Sequence, residues 1–244
     1  MKRIVIMGAT SGIGLETAKR CIAAGWRVGA AGRRTEELER LRALAPQQVV
    51  TEPIDITDET APAALGRLIE RLGGMEIYLH VSGVGSQNPQ LDPAVELHTV
   101  RTNVEGFVRM TTAAYNHFAA HGGGRLAVVS SIAGTRGLGA AAAYSASKRF
   151  QNTYIDALAQ LARMEGTNVR FTDIRPGFVA TALLKDGRHY PLLMRPERVA
   201  EALFRAVARG KRRAVIDRRY ALLVWLWRLI PQVLWERLPI RNTA

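Results

Sequence analysis

The feature that most constrains the fold is a glycine-rich turn between an apolar run and a helical pattern near the N-terminus. Arg3 to Met7 form the apolar run, GATSGIG is the turn, and the helical pattern extends from about Gly12 to Ala24. Glycines let the backbone approach a ligand closely, and the free amides and dipole of a helix N-terminus attract phosphate. A glycine turn by itself is a common structural device, but a strand before it and a helix after it favour a dinucleotide site. The residues expected to contact that ligand are Gly8, Thr10, Ser11, Gly12, Ile13 and Gly14.

Apolar runs and helical patterns alternate along the remainder of the chain. The predicted strands are residues 3–7, 27–31, 49–53, 77–81, 125–130, 168–174 and 214–216. The predicted helices are residues 12–24, 35–45, 58–72, 143–165 and 196–208, with a further helical region at 93–121. This alternation predicts an α/β fold, a doubly wound parallel sheet of about seven strands with helices on both faces, which binds ligands at the carboxyl ends of its strands.

The length and composition suit one large domain, because 48% of the 244 residues are hydrophobic. We assign residues 1–217 to a single Rossmann-fold domain for cofactor binding and catalysis, with a substrate loop at 178–195. Residues 218–244 form a basic, tryptophan-rich, amphipathic C-terminal extension. The only cysteine, Cys21, lies in an apolar helical pattern and is interpreted as a buried thiol. No metal site is expected.

The end of the second strand is expected to select the cofactor. Arg33 and Arg34 follow it, at the place where an acidic residue would bind the ribose hydroxyls of NAD. An arginine there can pair instead with the 2'-phosphate of NADP, and Ser11 offers that phosphate a further hydroxyl. The sequence therefore favours NADP(H); the alternative is that both arginines only begin the exposed helix that follows. Further cofactor contacts are expected where the next two strands end, at Asp55, Ile56, Ser82 and Gly83.

A tyrosine and a lysine, Tyr144 and Lys148, stand four residues apart in the helical pattern at 143–165. On a helix this spacing stacks the two side chains on one face, where the ammonium would lower the pKa of the phenol from about 10 towards neutrality. Ser131, at the end of the fifth strand, can hold a substrate oxygen. A tyrosine and a lysine at this spacing are usually just two solvated neighbours. Whether they are catalytic therefore depends on the companion motifs.

Asn103 stands within the helical region at 93–121. Asparagine is a poor residue for a helix interior because its side chain competes for backbone hydrogen bonds. We interpret it as the mark of a local distortion or of a held water; the alternative is an ordinary polar residue in a helix.

Together these motifs resemble the short-chain dehydrogenase/reductases from about residue 1 to residue 208. The residues that carry the resemblance, in the family's order, are Gly8, Gly12, Ile13, Gly14, Asn103, Ser131, Tyr144, Lys148, Pro176, Gly177 and Thr181. The resemblance implies that Tyr144 is the general acid in reduction and that Ser131 hydrogen-bonds the substrate oxygen. It implies that Lys148 lowers the pKa of the tyrosine and binds the nicotinamide ribose.

The same resemblance assigns further positions of the site. Asn103 would anchor a proton-relay water, and Asp55 with Ile56 would contact the adenine. The nicotinamide end of the cofactor is expected to lie against Pro176, Gly177, Val179 and Thr181, with Val179 and Thr181 at the carboxamide.

One departure from the family occurs after the fourth strand, where His80, Val81, Ser82 and Gly83 replace the usual Asn-Asn-Ala-Gly. The glycine is kept and both asparagines are lost. In the family the first asparagine helps to tie central strands together, so we interpret His80 as a structural hydrogen-bonding residue. A catalytic histidine is disfavoured because this position precedes the strand end and should be buried.

The implied reaction is that of an NADP-dependent carbonyl reductase. NADPH would deliver hydride to the carbonyl carbon of a ketone while Tyr144 gives a proton to the oxygen, which yields a secondary alcohol. Reduction is favoured over oxidation because cells generally keep NADPH reduced. A noncatalytic NADP-binding sensor is the alternative from another class, but the intact set of catalytic residues argues against it.

The C-terminal extension combines aromatic and basic residues. Residues 185–244 contain 14 lysine and arginine residues against 5 aspartate and glutamate residues, so most of the net charge of +13 is C-terminal. The unbroken apolar stretch, Tyr220 to Trp227, is far shorter than the ~20 residues that cross a bilayer. Tryptophans flanked by arginines match a helix in the headgroup region of a membrane. The alternative is burial against a second subunit, because members of the family commonly form homodimers or homotetramers.

The apolar loop at 178–195 suits a lid over a hydrophobic substrate, or a segment docked on the core or on another subunit. If the extension meets a membrane, a lipid ketone is the natural substrate, and the chain resembles reductases of long-chain 3-oxo lipids such as 3-ketosphinganine. A small soluble ketone or alcohol is the alternative. We expect a cytoplasmic protein, peripheral on the inner face of a membrane in the lipid case. No nucleic-acid partner is expected, because no recognition motif accompanies the basic residues.

Overall fold

The strands of the computed structural model, which describes residues 1–184 and 190–240, form one parallel sheet. They are β1 (Arg3–Met7), β2 (Arg27–Gly32), β3 (Val49–Pro53), β4 (Ile77–His80), β5 (Gly124–Val129), β6 (Val169–Arg175) and β7 (Arg213–Val215). Their order in the sheet is β3-β2-β1-β4-β5-β6-β7, and every neighbouring pair is parallel. The predicted doubly wound α/β fold is confirmed. Residues 185–189 of the substrate loop and the last four residues of the extension lie outside the described residues.

The helices connect successive strands and continue into the C-terminal extension. They are α1 (Gly12–Ala23), α2 (Thr35–Leu44), α3 (Ala61–Leu72), α4 (Pro93–Val100), α5 (Phe107–Ala120), α6 (Ala142–Met164), α7 (Pro196–Arg209), α8 (Arg218–Leu229) and α9 (Gln232–Trp235). A π-helical segment, Arg101–Gly106, joins α4 to α5 and contains Asn103. The local distortion predicted from this asparagine is therefore confirmed.

The side chains of each central strand alternate between two hydrophobic clusters, one on each face of the sheet. On β1, Ile4 and Ile6 belong to the first cluster, whereas Val5 and Met7 belong to the second. Helices α1, α2, α7 and α8 contribute to the first cluster, and α3, α5 and α6 contribute to the second. Both faces of the sheet are thus covered, which explains why its strands are apolar throughout. Cys21 is buried in the first cluster, as predicted, and this burial raises the pKa of its thiol to about 12.

The order of the strands in the sheet reverses between the neighbours β1 and β4, because the chain crosses from β3 at one edge to β4 on the other side of β1. Strands β2 and β3 lie on one side of β1, and β4 to β7 lie on the other. A doubly wound sheet opens a crevice at the carboxyl ends of the strands at such a point, because successive helices there lie on opposite faces. The glycine turn follows β1, and the loop with Ser82 and Gly83 follows β4, so both border this crevice.

Candidate active site

The glycine turn after β1 is folded tightly onto itself. Gly8 and Gly12 have φ angles of +99° and +50°, in the region that favours glycine. A Cβ atom at Gly14 would lie only 2.0 Å from the carbonyl oxygen of Gly8, so a side chain there would break the turn. The Ser11 side chain does not cap α1. The first-turn amides of α1 are therefore available to an anionic ligand, and the turn fits a pyrophosphate as predicted for a dinucleotide cofactor.

Two other loops close on the glycine turn. A Cβ atom at Gly8 would lie 2.7 Å from the backbone nitrogen of Ser82, after β4. One at Gly12 would lie 2.9 Å from Cγ2 of Thr181, in the loop after β6. Val179 of that loop is buried and forms a bridge with Met194. The fold thus brings together predicted cofactor contacts that lie far apart in the sequence.

The two arginines after β2 have different partners. The Arg34 guanidinium donates to the hydroxyl of Thr10 over 3.0 Å, which ties it to the glycine turn. Arg33 has a side chain 65% exposed, and one of its nitrogens lies 3.8 Å from a carboxylate oxygen of Asp55. Partial burial alone would raise the pKa of Asp55, but hydrogen bonds from Thr57 and the charge of Arg33 outweigh it and lower that pKa. Arg33 is therefore the arginine with the freer cationic group at the place predicted for the 2'-phosphate.

The Ile56 side chain is more buried than expected for a residue predicted to contact adenine. Its side chain is buried in the second cluster, and a Cβ atom at Gly106 would lie 2.8 Å from it. Its carbonyl accepts a hydrogen bond of 3.0 Å from Arg109. The side chain therefore supports the π-helical segment, and the contact with adenine stays a prediction.

Tyr144 and Lys148 lie on one face of α6, as their spacing predicted. The Lys148 ammonium is 5.8 Å from the centroid of the Tyr144 ring. It donates to the carbonyl of Val129 over 3.2 Å and to the side-chain oxygen of Gln151 over 3.1 Å. The Tyr144 ring packs against the loop after β4, where a Cβ atom at Gly85 would be 2.7 Å from the ring. Glycine at position 85 therefore leaves room for the phenol.

The pKa of Tyr144 shifts in the direction opposite to the prediction. Burial raises it, and the interaction with the Ser131 hydroxyl offsets this only in part. Burial also lowers the pKa of Lys148 to about 8, against the opposing effect of the Asp173 carboxylate. Desolvation is the largest cause of both shifts, because burial disfavours the charged form of each group. The phenol consequently stays protonated near neutrality, which suits a proton donor.

Ser131 and Asn103 occupy fixed positions beside this pair. The Ser131 hydroxyl accepts a hydrogen bond of 3.1 Å from the amide of Ala133, in the short 3₁₀ turn that follows β5. The Asn103 side chain accepts from the Val84 amide over 2.9 Å, and it donates to the Val84 carbonyl over 2.7 Å and to Ser147 over 3.1 Å. Asn103 thus ties the loop after β4 to α6. Its proposed role as the anchor of a relay water stays a prediction.

Gln151 is a residue of this site that sequence reasoning missed. It is fully buried, accepts from Lys148, and donates over 3.0 Å to the backbone carbonyl of Asn103. The side-chain amide of Gln151 therefore links Lys148 to the π-helical segment. The signal that could have found it is its spacing, because a polar residue three positions after Lys148 lies on the same helix face.

His80 is buried at the end of β4. Its Nδ1 lies 3.0 Å from the hydroxyl of Tyr78, and its ring meets the Phe107 ring edge to face. Burial, with a smaller contribution from the charge of Lys148, lowers the pKa of His80 to about 3. The imidazole is therefore neutral at physiological pH and suits the structural role predicted for it. The contact with Tyr78 runs along β4, in contrast to the link between strands that the family's asparagine provides.

The residues described contain no group of three or more histidine, cysteine, aspartate or glutamate side chains able to hold a metal ion. The functional side chains that the fold places beside one another here are the Tyr144 phenol, the Lys148 ammonium and the Ser131 hydroxyl, with the side-chain amides of Asn103 and Gln151.

For the predicted ketone reduction, we expect the rate to fall as the pH rises above about 8, because Lys148 loses its charge there. Tyr144, whose pKa is raised by burial, remains protonated over the same range. In Lys148→Arg the side chain stays charged, so the descending limb of the pH profile of kcat/KM should move to higher pH. Profiles of the native protein and of this variant test the assignment, and an identical limb in both contradicts it.

The fold and this grouping of side chains define an α/β oxidoreductase. The sequence model described as short chain dehydrogenase matches residues 2–190, and the chain belongs to this family. It is 33% identical over 239 residues to an uncharacterised oxidoreductase of Myxococcus xanthus, a match that covers 95% of this chain and 94% of that one. It is 29% identical over 265 residues to dehydrogenase/reductase SDR family member 7B of Xenopus tropicalis, covering 98% of this chain and 84% of that protein.

Solved structures show the same fold. A short chain dehydrogenase from Burkholderia cenocepacia in complex with NADP matches with a TM-score of 0.82 at 22% identity, over 99% of this chain and 100% of that chain. ElxO with NADP bound matches with a TM-score of 0.79 at 18% identity, over 91% of this chain and 99% of that chain. Both of those structures contain bound NADP, and this chain shares their fold.

Proposed function

We propose that this protein is an NADPH-dependent reductase that converts a ketone into a secondary alcohol. The observation that carries the proposal is the position of Tyr144, which stands beside Lys148 and Ser131 at the sheet edge that also bears the glycine turn. A protonated phenol, a hydroxyl and a nucleotide-binding turn are the groups that carbonyl reduction requires.

Each side chain has a distinct task in this proposal. The bound cofactor supplies the hydride, and the Tyr144 phenol gives its proton to the carbonyl oxygen. The Ser131 hydroxyl holds that oxygen in place. The Lys148 ammonium binds the nicotinamide ribose and stabilises the negative charge that develops on the phenol oxygen.

The preference for NADP(H) is supported by the arginines after β2. Arg33 carries an exposed guanidinium directly after β2, and Arg34 is attached to the glycine turn through Thr10. Neither residue is acidic, so the 2'-phosphate meets cations and no carboxylate of β2 opposes it. Related folds that hold NADP are consistent with this choice.

A hydrophobic substrate is supported by the apolar residues near the phenol. A Cβ atom at Gly85 would lie 2.7 Å from the Tyr144 ring and 3.2 Å from the Leu183 side chain, so this leucine borders the tyrosine. Leu192 and Leu193 of the same loop expose part of their side chains. We propose a long-chain 3-oxo lipid such as 3-ketosphinganine as the substrate class; a small soluble ketone is the second candidate.

A panel of ketones from short and polar to long-chain, assayed with NADPH and NADH in parallel, tests the reaction, the cofactor and the substrate class together. We expect turnover with NADPH and a kcat/KM that rises with chain length. Equal or better turnover of short polar ketones would rule out the lipid substrate. Cofactor binding without turnover of any ketone would favour a noncatalytic NADP sensor.

We also propose that the C-terminal extension rests on an anionic membrane surface. Helices α8 and α9 and the turn between them expose a row of apolar side chains, Leu222, Trp225, Leu226, Leu229, Val233 and Leu234. A cleft of about 770 Å³ next to the start of α8 is lined by the basic residues Arg198, Arg205, Arg209, Lys211, Arg218 and Arg219. Apolar and basic groups side by side match lipid tails and anionic headgroups. No helix among the described residues is long and apolar enough to cross a bilayer.

Substitution of the exposed row should abolish vesicle binding. We expect the native protein to sediment with vesicles of phosphatidylglycerol and phosphatidylcholine, and Trp225→Glu combined with Leu229→Glu to stay in the supernatant, because two carboxylates would enter the apolar region. Leu44→Glu, at an equally exposed leucine at the end of α2, is the matched control. Unchanged vesicle binding contradicts the proposal. A change from homodimer or homotetramer to monomer in the double variant would assign the row to a subunit interface.

A further inference from the structure

We propose that the C-terminal extension is part of the substrate site, and that Tyr220 is the residue through which it positions the substrate loop. This inference rests on the proposed carbonyl reduction for its effect on kinetics. Helices α8 and α9 contact two loops that border Tyr144 and Ser131. The extension therefore helps to form the site and is not a separate appendage.

Among residues 218–240 of the extension, Tyr220 is the most deeply buried, with 1% of its surface exposed. Its ring fills the space over Gly177, where a Cβ atom would lie 2.2–2.5 Å from the ring carbons. Glycine at 177 is therefore needed for this packing, as well as for the predicted approach of the cofactor. The ring also meets Phe178 at a centroid distance of 6.5 Å.

The Tyr220 hydroxyl joins the two ends of the substrate loop. It donates to the carbonyl of Pro191 over 2.8 Å and lies 3.2 Å from that of Leu192. At the other end of the loop, the amide of Phe178 donates to the same hydroxyl over 3.2 Å. One oxygen thus bonds to backbone groups thirteen and more residues apart in the sequence, which closes the base of the loop.

The extension also holds the loop that follows Ser131. Arg136 of that loop donates to the carbonyl of Trp227 over 3.1 Å and to that of Arg228 over 3.2 Å, and so satisfies carbonyls at the C-terminus of α8. The Trp235 indole donates to the carbonyl of Gly137 over 2.7 Å, and the Arg136 guanidinium lies 5.8 Å from its ring centroid. Both loops are therefore attached to the C-terminal extension, the first through α8 and the second through α8 and α9.

This geometry predicts an effect on substrate binding. Loss of the Tyr220 hydroxyl leaves the glycine turn, Lys148 and Tyr144 with their own contacts, so the chemical step keeps its groups. The Phe178 amide loses its acceptor and the Pro191 carbonyl loses its donor, so the two ends of the loop are no longer joined through one hydroxyl. A more mobile loop costs ordering entropy each time a substrate binds.

In Tyr220→Phe we expect the KM for a long-chain ketone to rise about fivefold while kcat changes less than twofold. We also expect faster hydrogen–deuterium exchange in peptides that cover residues 178–184 and 190–194, which is a readout independent of turnover. Trp235→Phe, which removes the donor to Gly137, should accelerate exchange in the loop after Ser131.

Tyr154→Phe is the matched control, because this tyrosine also uses its hydroxyl in a hydrogen bond, to Thr112 over 3.0 Å, on the opposite face of the sheet. Exchange in the substrate loop of Tyr220→Phe equal to that of the native protein or of the control would overturn the inference. Faster exchange in a protein that reduces no ketone would leave the bracing role intact and overturn the proposed reaction instead.

Discussion

Replacing Tyr144 by phenylalanine is expected to lower kcat for ketone reduction by about 10³-fold. The variant keeps the ring that packs beside Gly85 and loses only the hydroxyl that we propose as the proton donor. Burial raises the pKa of this phenol, so it is the protonated, proton-donating form that the substitution removes. Single-turnover measurement of hydride transfer from NADPH reports the chemical step directly.

Binding measurements separate this loss from a loss of structure. We expect the Kd for NADPH in Tyr144→Phe to stay within about twofold of the native value, because the glycine turn and Lys148 keep their contacts. Tyr154→Phe, on the same helix, should retain full activity. A Tyr144→Phe variant that retains a tenth or more of kcat would assign the proton to another donor.

Replacing Arg33 by alanine is expected to reduce the preference for NADPH over NADH by about 10- to 100-fold. The reason is the loss of the proposed charge-assisted contact with the 2'-phosphate, a group that NADH lacks. The contact between Arg33 and Asp55 is long, at 3.8 Å, and lies at the surface, so its loss should affect stability little. The ratio of kcat/KM values for the two cofactors measures the effect.

Arg40→Ala is the control for a change in net charge. Arg40 lies on α2, pairs with Glu37 and is exposed, but it is remote from the glycine turn. Arg40→Ala should change the kcat/KM values for NADPH and for NADH little. Equal losses for NADPH and NADH in Arg33→Ala would show that this residue does not read the phosphate, and a larger effect of Arg34→Ala would transfer the role to the arginine bound to Thr10.

The family of this chain was predictable from local patterns because each motif depends on neighbours in the sequence. The glycine turn needs residues that adopt positive φ, and its position between a strand and a helix follows from hydrophobic periodicity. Predicted strand and helix bounds agree with the structure to within a few residues. The shared helix face of Tyr144 and Lys148 was predicted because a helix converts spacing into direction. The distortion at Asn103 was predicted because asparagine competes for backbone hydrogen bonds inside a helix.

Contacts between distant segments were not predictable in this way. Gln151 joins Lys148 to the Asn103 carbonyl only because α6 packs against the π-helical segment. The direction of the pKa shift at Tyr144 depends on how much water the surrounding loops exclude. The spacing of two residues carries no information on that burial.

The C-terminal extension shows most clearly which properties follow from the sequence alone and which depend on the tertiary structure. The sequence by itself determined that the extension is basic and rich in tryptophan, and that its unbroken apolar stretch is too short to cross a bilayer, because composition and the order of residues decide those properties. Only the tertiary structure decided that Tyr220 faces inward and bonds to both ends of the substrate loop, whereas Leu222 and Trp225 face outward. The direction in which each of these side chains points is set by the place where α8 docks, and that place depends on the loops after β5 and β6 that it covers.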